Sequence, residues 1–315
     1  MKERVCRVPD ITRKQWLEFR RSGIGGSDAS TIVGLNPYSS LYYLYCDKLG
    51  QLPEKEDSEA MRQGRDLEQY VADRWMEATG KRCQRNNYMW RSIEHPFALA
   101  DIDREVVGEN AGLECKTTSV YNRHDFEAGD IPLNYYVQCQ HYMAVMGFDC
   151  MYLAVLVLNR GFYTYEIPRD EDEISVLMDA ERAFWEGHIL PQVPPDLNGS
   201  EADLDALRKK YPEDSGENLF PFELTRQNKA DLESLASLNQ EIEALQQAAD
   251  ACRARIMEQM GERSTAMAPG WTVSWKMQQR TSLDSKALKK DYPDIYAEYA
   301  KTTTSRVFRV KRTEE

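Results

Sequence analysis

The sequence lacks any long apolar run. Its longest unbroken apolar stretch, Met151 to Leu158, is eight residues, whereas a helix that crosses a bilayer needs about 20. The first ten residues, MKERVCRVPD, contain no apolar segment of the kind that directs secretion. We therefore expect a soluble cytoplasmic protein that does not enter a membrane.

Cysteine and histidine are scarce and scattered. The seven cysteines are odd in number and include no C-x-x-C pair, and the four histidines are dispersed. Zinc sites and disulfide frameworks both need such residues at regular, close spacings. The sequence therefore predicts reduced thiols and excludes a zinc centre of the usual kind.

Positive charge is also in deficit, because the net charge is −12. Most proteins that bind nucleic acid obtain their affinity from Lys and Arg on phosphates. The acidity is local, however: residues 166–217 carry 15 acids against 5 bases, which leaves only −2 for all other residues. Residues 1–21 carry seven bases against three acids, so a phosphate-binding surface is compatible with the composition.

Residues 97–119, FALADIDREVVGENAGLECKTTS, concentrate the residues that suggest chemistry. Two short apolar runs each end in carboxylates, and Gly108 lies at the turn between them, which predicts a β-hairpin. Alternation along a strand places Glu114 and Lys116 on one face, with Cys115 on the other. Asp103, Glu114 and Lys116 are thus expected to converge.

Two carboxylates and the Cys115 carbonyl would form a hard oxygen site of the kind that Mg²⁺ prefers, and Lys116 would orient a water. Such a site is suited to hydrolysis of a phosphodiester. The same residue types at strand ends are often solvated or form simple ion pairs, and the hairpin alone does not distinguish these alternatives.

A glycine-rich loop, Ser22 to Ala29, follows a short predicted helix that contains Arg20. Three of its residues are glycines within four positions, and Ser27 precedes an apolar helical stretch. Backbone amides in such a loop can bind a phosphate at the start of a helix. An ordinary glycine turn is the alternative, and the nearby Arg20 favours the phosphate site.

The remaining periodicities predict an α/β fold with a central mixed β-sheet flanked by helices. A helix is expected from about 58 to 79, with Glu68 beside its buried stripe, and another from Pro132 that carries Gln138. Strands are expected at 83–91, 151–158 and 162–167, followed by a helix at 172–187.

Three regions follow from these patterns. Residues 1–190 form the main domain, and the proline-containing acidic segment 191–219 is expected to be a linker or long loop. Residues 220–315 are expected to form an accessory module with a long helix bearing one apolar seam from Asn228 to Met260, a β-hairpin near 271–277 and a basic terminal strand at 306–312.

The assembled pattern resembles the YqaJ-like phage recombinases, relatives of lambda exonuclease in the PD-(D/E)XK nuclease superfamily. The resemblance covers roughly residues 12–170. It rests on these motifs in family order: Trp16-Leu17-x-x-Arg20, Gly23-Ile24-Gly25-Gly26-Ser27-Asp28-Ala29, Asn36-Pro37-Tyr38, Gly64-x-x-x-Glu68, Asp103-Arg104, Gly112-Leu113-Glu114-Cys115-Lys116-Thr117 and Tyr135-x-x-Gln138-x-Gln140. A restriction-endonuclease-like core is the fold that this resemblance implies.

The resemblance also implies roles for individual residues. Asp103, Glu114 and the Cys115 carbonyl would bind the catalytic metal, and Glu68 would complete a second metal position or hold its water. Lys116 would steer the attacking water, and Gln138 would position that water or the phosphate. Arg20 and Ser27 would hold a 5′-terminal phosphate, with Tyr135 also on the DNA. Asp101 is a rival for the role of Asp103.

The implied activity is that of a 5′-to-3′ double-stranded DNA exonuclease that resects ends for recombination by single-strand annealing. Mg²⁺ would be its cofactor, with Mn²⁺ as a substitute. Implied partners are DNA ends, further copies of the chain in a trimeric ring, and a phage annealing protein. A structure-selective or restriction-like endonuclease and a non-catalytic DNA-end-binding scaffold are the alternatives.

Overall fold

The structure is a computed structural model that describes residues 1–54, 57–121, 126–216 and 226–310. It contains two compact units, Met1–Pro212 and Glu213–Glu315. None of the described helices is long and apolar enough to span a membrane.

The strands of the described residues are β1 (Lys2–Arg7), β2 (Cys83–Arg85), β3 (Tyr88–Ser92), β4 (Leu99–Ala100), β5 (Arg104–Val106), β6 (Ala111–Thr118), β7 (Cys150–Val157), β8 (Gly161–Pro168), β9 (Thr265–Ala268) and β10 (Trp271–Ser274). The α-helices are α1 (Arg13–Arg21), α2 (Gly26–Ile32), α3 (Leu41–Lys48), α4 (Glu59–Thr79), α5 (Leu133–Met146), α6 (Glu171–Phe184), α7 (Glu201–Lys210), α8 (Arg226–Met260), α9 (Ser285–Asp291) and α10 (Pro293–Tyr299).

A five-stranded sheet forms the centre of the first unit, in the order β2-β5-β6-β7-β8. Strands β6 and β7 pair in parallel, whereas the other neighbours are antiparallel. Strand β7 is almost continuously apolar and buried, as expected for a strand covered on both faces. The predicted central mixed sheet flanked by helices is confirmed.

Helices α4 and α5 cover opposite faces of this sheet. On one face, Trp75 of α4 is fully buried and its ring lies 5.2 Å from that of Tyr152. Complete burial of one such aromatic side chain stabilises the fold by about 2–3 kcal/mol. On the other face, Met143 of α5 packs in the same cluster as Leu153 of β7. The alternation of β6 therefore directs odd residues towards α4 and even residues towards α5.

Local sequence signals account for the helix boundaries near the site. Thr12 and Gln15 form a reciprocal capping box at the start of α1. Helix α4 begins after Ser58, whose hydroxyl accepts from the Met61 amide, and ends at Gly80 with φ 72°. Both ends of α4 thus agree with the predicted limits of 58 and 79.

The region predicted as strand 83–91 and hairpin 97–119 is divided between two sheets. Residues 86 and 87 interrupt the first strand, because the Asn86 side chain accepts the Tyr88 amide at 2.9 Å and turns the chain. Strand β3 then joins a separate sheet of order β1-β3-β4. Only Leu99 and Ala100 of the first predicted hairpin arm form a strand, and the hairpin itself is β5–β6.

The segment 191–219, predicted as a linker or loop, contains helix α7. Ser200 caps this helix by accepting the Asp203 amide, and Ala206 is fully buried against the main core. Lys209 of α7 lies 5.3 Å from the ring of Tyr43 on α3. The first unit therefore continues to Pro212. The prediction of a linker missed α7 because the acidic composition of this segment hides its few apolar residues. Residues 217–219 lie outside the described part.

The second unit contains the predicted long helix as α8 and a hairpin of β9 and β10, followed by α9 and α10. The apolar seam of α8 is exposed, with Leu238, Ile242 and Leu245 at 53, 62 and 70% exposure. The basic terminal strand expected at 306–312 is absent from its described residues, 306–310. Residues 311–312 lie outside the described part.

Candidate active site

Strand β6 presents Glu114 and Lys116 on the face that α5 covers. The Lys116 Nζ donates to Glu114 Oε1 at 2.7 Å. Glu114 is only 4% exposed. Burial raises the pKa of the Glu114 carboxyl, and Lys116 opposes that shift. For Lys116, burial acts to lower the pKa, but the charges of Glu114 and Asp103 and the hydrogen bond to Glu114 together raise it. The charged forms of the two residues therefore depend on each other.

Gln138 of α5 connects these two charges. Its amide Nε2 donates to Glu114 Oε1 at 2.7 Å, and its Oε1 accepts from Lys116 Nζ at 3.0 Å. The same Nε2 lies 3.1 Å from the Tyr142 hydroxyl. An amide has both a donor and an acceptor, so Gln138 can donate to the carboxylate and accept from the ammonium at once. This explains a buried glutamine in a largely apolar helix.

Asp103 joins the cluster from the place where β5 separates from β6. Arg104 pairs with Leu113, so Asp103 lies one residue beyond the ladder, alongside Glu114. Its Oδ2 accepts the Cys115 amide at 2.8 Å. Burial, followed by the charges of Glu114 and Glu68, raises the pKa of Asp103 well above its usual value. This carboxylate therefore lies in an excess of negative charge.

The Cys115 amide thus anchors Asp103, a role that sequence reasoning missed. The Cys115 side chain packs with the cluster under α4, and burial raises the pKa of its thiol well above the usual value. The thiol is therefore unreactive, and the proposed contribution of Cys115 to a metal site remains that of its carbonyl.

Glu68 and Asp101 are held by other partners. Glu68 Oε1 lies 2.5 Å from Arg104 Nη1 and 3.1 Å from Arg85 Nη2. The charge of Glu68 still raises the pKa of Asp103, but Glu68 Oε1 is hydrogen-bonded to the two arginines and not to the cluster. Asp101 Oδ2 accepts from Trp16 Nε1 at 2.9 Å. Of the two rival aspartates, Asp103 is the one hydrogen-bonded to the β6 segment that carries Glu114.

The donor set fits a hard divalent cation. Glu114 Oε2 is buried without a hydrogen-bond partner, and the neighbouring Asp103 carries unfavourable negative charge. Within the described residues, no group of three His, Cys, Asp or Glu side chains is arranged to hold a metal. Two carboxylates supplemented by a backbone carbonyl and water are nevertheless a common donor set for Mg²⁺.

A cleft of about 500 Å³ opens beside Asp103. Its wall includes Asp101 and Glu68 as well as Arg13, Arg65 and Arg85. The three arginines balance the charges of Glu68, Asp101 and Asp103 in the same lining, and Arg65 and Arg85 are ion-paired with Asp57 and Glu68. The overall acidity of the chain therefore does not extend to this surface.

The glycine-rich loop brings Arg20 and Ser27 together, as predicted. Arg20 Nη2 donates to Ser27 Oγ at 2.9 Å. A Cβ at Gly25 would lie 2.5 Å from Arg20 Nη1, so glycine is needed where the guanidinium lies on the loop. The Ile24 and Gly25 amides already donate to Phe97 O and Asp28 Oδ2. The loop amides expected to bind phosphate are thus partly committed to the fold.

Asp28 and Lys48 complete the loop site and were not predicted as site residues. Asp28 lies 3.2 Å from Arg20 Nη2 and 2.6 Å from Lys48 Nζ. The Gly-Gly-Ser-Asp sequence offered a signal for Asp28. Lys48 ends α3, distant in sequence, and nothing local marks it.

Tyr135 lies beside the acidic cluster, with its ring centre 5.2 Å from Lys116 Nζ. The loop and cluster are also close: a Cβ at Gly26 would lie 2.7 Å from Tyr142 Cε1 and 2.8 Å from Gln138 Cγ. The glycine loop and the cluster of Asp103, Glu114, Lys116 and Gln138 are therefore parts of one continuous site.

Comparison with known proteins assigns the family. Residues 15–149 match the YqaJ-like viral recombinase domain. The YqaJ protein of Bacillus subtilis (strain 168) is 37% identical over 312 residues, which cover 98% of this chain and 97% of the relative. The chain belongs to the YqaJ-like viral recombinase family. Both the motif-rich first unit and the second unit are shared with that relative.

Solved structures of two exonucleases are weakly similar. An alkaline exonuclease (LHK-Exo) from Laribacter hongkongensis has a TM-score of 0.46 and 19% identity, covering 57% of this chain and 94% of its own. A phage related exonuclease from Haemophilus somnus 129PT has a TM-score of 0.43 and 16% identity, covering 54% and 96%. The family assignment rests on the sequence relative and not on these similarities.

Proposed function

We propose that the protein is a Mg²⁺-dependent 5′-to-3′ double-stranded DNA exonuclease that resects ends for phage-type recombination by single-strand annealing. The observation that carries this proposal is the buried cluster of Asp103, Glu114, Lys116 and Gln138 at the edge of an arginine-lined cleft. Membership of a viral recombinase family supports DNA as the substrate.

Asp103, Glu114 and the Cys115 carbonyl would hold the cation, with Mn²⁺ able to replace Mg²⁺. When bound, the cation supplies Lewis-acid stabilisation of charge at the scissile phosphate. The buried, unpartnered Glu114 Oε2 supports this assignment, since a cation would satisfy it. Glu68, whose Oε1 is bound by Arg104 and Arg85, would complete a second metal position or hold its water.

Lys116 and Gln138 would orient the attacking water and the phosphate. The Lys116 ammonium remains protonated beside Glu114, so it serves as a donor and not as the base. Glu114 and Gln138 take two of the three donors of this ammonium, which leaves the third for an incoming oxygen. Gln138 fixes the ammonium by accepting from it at 3.0 Å.

Arg20 and Ser27 would bind the 5′-terminal phosphate, and Tyr135 would contact the adjoining nucleotide. This position next to the acidic cluster supports an enzyme that starts at an end. A homo-oligomeric ring, of which a trimer is the simplest form, and a phage annealing protein as partner are further parts of the proposal that rest on the family resemblance.

The test is digestion of linear duplex DNA, with 5′-phosphate or 5′-hydroxyl ends, beside closed circular DNA of the same sequence. We expect loss of the 5′-ended strand from linear DNA only, with Mg²⁺ required and phosphorylated ends preferred. The Arg20→Ala variant should lose mainly that preference. Cutting of the circle would establish an endonuclease instead, and binding of ends without any cutting would establish a scaffold.

A further inference from the structure

The loop site contains three charges, not one. Arg20 and Lys48 both contact Asp28, and Lys48 Nζ also donates to the Arg20 carbonyl at 2.8 Å. The Lys48 side chain is only 2% exposed, compared with 17% for Arg20 and 13% for Asp28. Lys48 is therefore buried beneath Arg20 and Asp28, whereas the Arg20 side chain remains partly exposed to solvent.

The charge balance of this group depends on Lys48. Burial would raise the pKa of Asp28, but Lys48 and Arg20 together lower it to about 2, so the carboxylate is ionised at neutral pH. Burial lowers the pKa of Lys48, and Asp28 at 2.6 Å opposes that shift by favouring the ammonium. With Arg20 and Asp28 alone the group would be neutral. With Lys48 it has a net charge of +1.

Asp28 also sets the orientation of the Arg20 guanidinium. Asp28 accepts from Arg20 Nη2, Lys48 Nζ and the Gly25 amide, which fixes the guanidinium against the loop. A carboxylate so close to Arg20 would normally compete with any anion for that guanidinium. Neutralisation of Asp28 from behind removes this competition while keeping the orientation.

We propose that Lys48 is a specificity-determining residue: by neutralising Asp28, it leaves the Arg20 guanidinium with the net positive charge that selects a terminal phosphate monoester over a hydroxyl end. This inference rests on the proposed end-resecting function and assigns its end preference to a buried ion pair. Lys48 acts through Arg20 and does not itself touch the DNA.

The experiment compares 5′-phosphorylated with 5′-hydroxyl duplexes in four full-length proteins: the wild type, Lys48→Met, the double variant Lys48→Met with Asp28→Asn, and Lys209→Met as control. The control removes the Lys209–Asp205 ion pair on α7, which lies outside the loop site. One readout is the ratio of digestion rates with Mg²⁺. The other is the ratio of dissociation constants in EDTA, measured by fluorescence anisotropy.

Lys48→Met makes the group neutral and should reduce both ratios by about tenfold or more, the usual worth of a hydrogen bond to a charged group. The double variant returns the net charge to +1 and keeps an acceptor for Arg20, so it should recover most of the preference. Lys209→Met should match the wild type.

Unchanged ratios in Lys48→Met would overturn the inference. Failure of the double variant to recover the preference would also overturn it, since a role in packing alone is not restored by a second substitution. If Lys48→Met does not fold, the double variant alone decides: a preference near that of the wild type supports the inference, and equal treatment of both ends refutes it.

The two proposals fail in different ways. A wild type that digests linear DNA without regard to the 5′ group refutes the role of Lys48 but retains the exonuclease. A wild type that digests nothing refutes the exonuclease, while the binding ratios in EDTA still measure the end preference.

Discussion

Binding of Mg²⁺ is predicted to stabilise the protein in the absence of DNA, and Asp103 is the residue on which this effect depends. Burial and the charges of Glu114 and Glu68 hold the pKa of Asp103 well above its usual value. Ionised Asp103 therefore costs the folded protein free energy. A cation between Asp103 and the unpartnered Glu114 Oε2 would remove that cost.

The magnitude follows from linkage. A ligand at 100 times its dissociation constant stabilises the folded state by about 2.7 kcal/mol. For a unit the size of Met1–Pro212, each kcal/mol raises Tm by roughly 2–4 °C. Saturating Mg²⁺ should therefore raise the Tm of the first unit by about 5–10 °C.

The assay is thermal unfolding with increasing Mg²⁺ at constant ionic strength. Asp103→Asn should abolish the rise in Tm. Asp101→Asn is the matched control, since Asp101 lies two residues from Asp103 but is hydrogen-bonded to Trp16, and it should keep the rise. A shift that survives in Asp103→Asn, or one that disappears in Asp101→Asn, would refute the assignment of the metal to Asp103.

Three further predictions test other parts of the account. Lys116→Met should retain DNA binding but lower the single-turnover rate by about 10²–10³, the usual effect of removing one donor from a developing charge; an equal loss in Lys81→Met, a control at the Glu109 ion pair, would contradict it. Burial disfavours charge on His141, but Glu181 at 2.8 Å raises the pKa of His141 above its usual value. The folded state therefore binds this proton more tightly than the unfolded state. Its contribution to the free energy of unfolding is full below about pH 6.5 and falls by up to about 1.4 kcal/mol per pH unit as pH rises towards the raised pKa. Urea unfolding from pH 6 to 9 should show this slope in the wild type and a flatter one in the double variant His141→Gln with Glu181→Gln. If the exposed α8 seam joins copies of the chain, deletion of residues 213–315 should lower the number of copies per assembly, measured from the mass in solution. An unchanged number of copies together with lost binding of an annealing protein would assign the seam to that partner.

Much of the site was predictable because strand and helix periodicities fix which side chains share a face. Alternation in β6 separated Glu114 and Lys116 from Cys115, and the resemblance to the YqaJ-like recombinases implied the role of Gln138. The hydrogen bonds among Glu114, Lys116 and Gln138 agree with that prediction.

Other features depend on contacts that sequence order does not reveal. The pairing of Glu68 Oε1 with Arg104 and Arg85 was not predicted; the expected role of Glu68 at a second metal position or its water stays a prediction. At the break between β2 and β3, the Asn86 side chain accepts from the Tyr88 amide and the Trp90 indole and donates to Glu105. Lys48 reaches Asp28 across 20 residues of chain, and only the packing of α3 behind the loop brings them together.

The same limit explains the boundary of the first unit. The acidic and proline-rich composition of residues 191–219 is typical of a linker, yet Ala206 is fully buried. A few apolar residues at helical spacing are sufficient for α7 to pack, and the average composition of the segment does not reveal them. Local burial, not overall charge, decides where the unit ends.

The most direct measurement is digestion of linear and closed circular duplex DNA of one sequence, with and without Mg²⁺, followed strand by strand. The account predicts that the 5′-ended strand of the linear DNA is removed, that the circle stays intact, and that Glu114→Gln removes the activity. Cutting of the circle, or digestion that persists without a divalent cation, would contradict it.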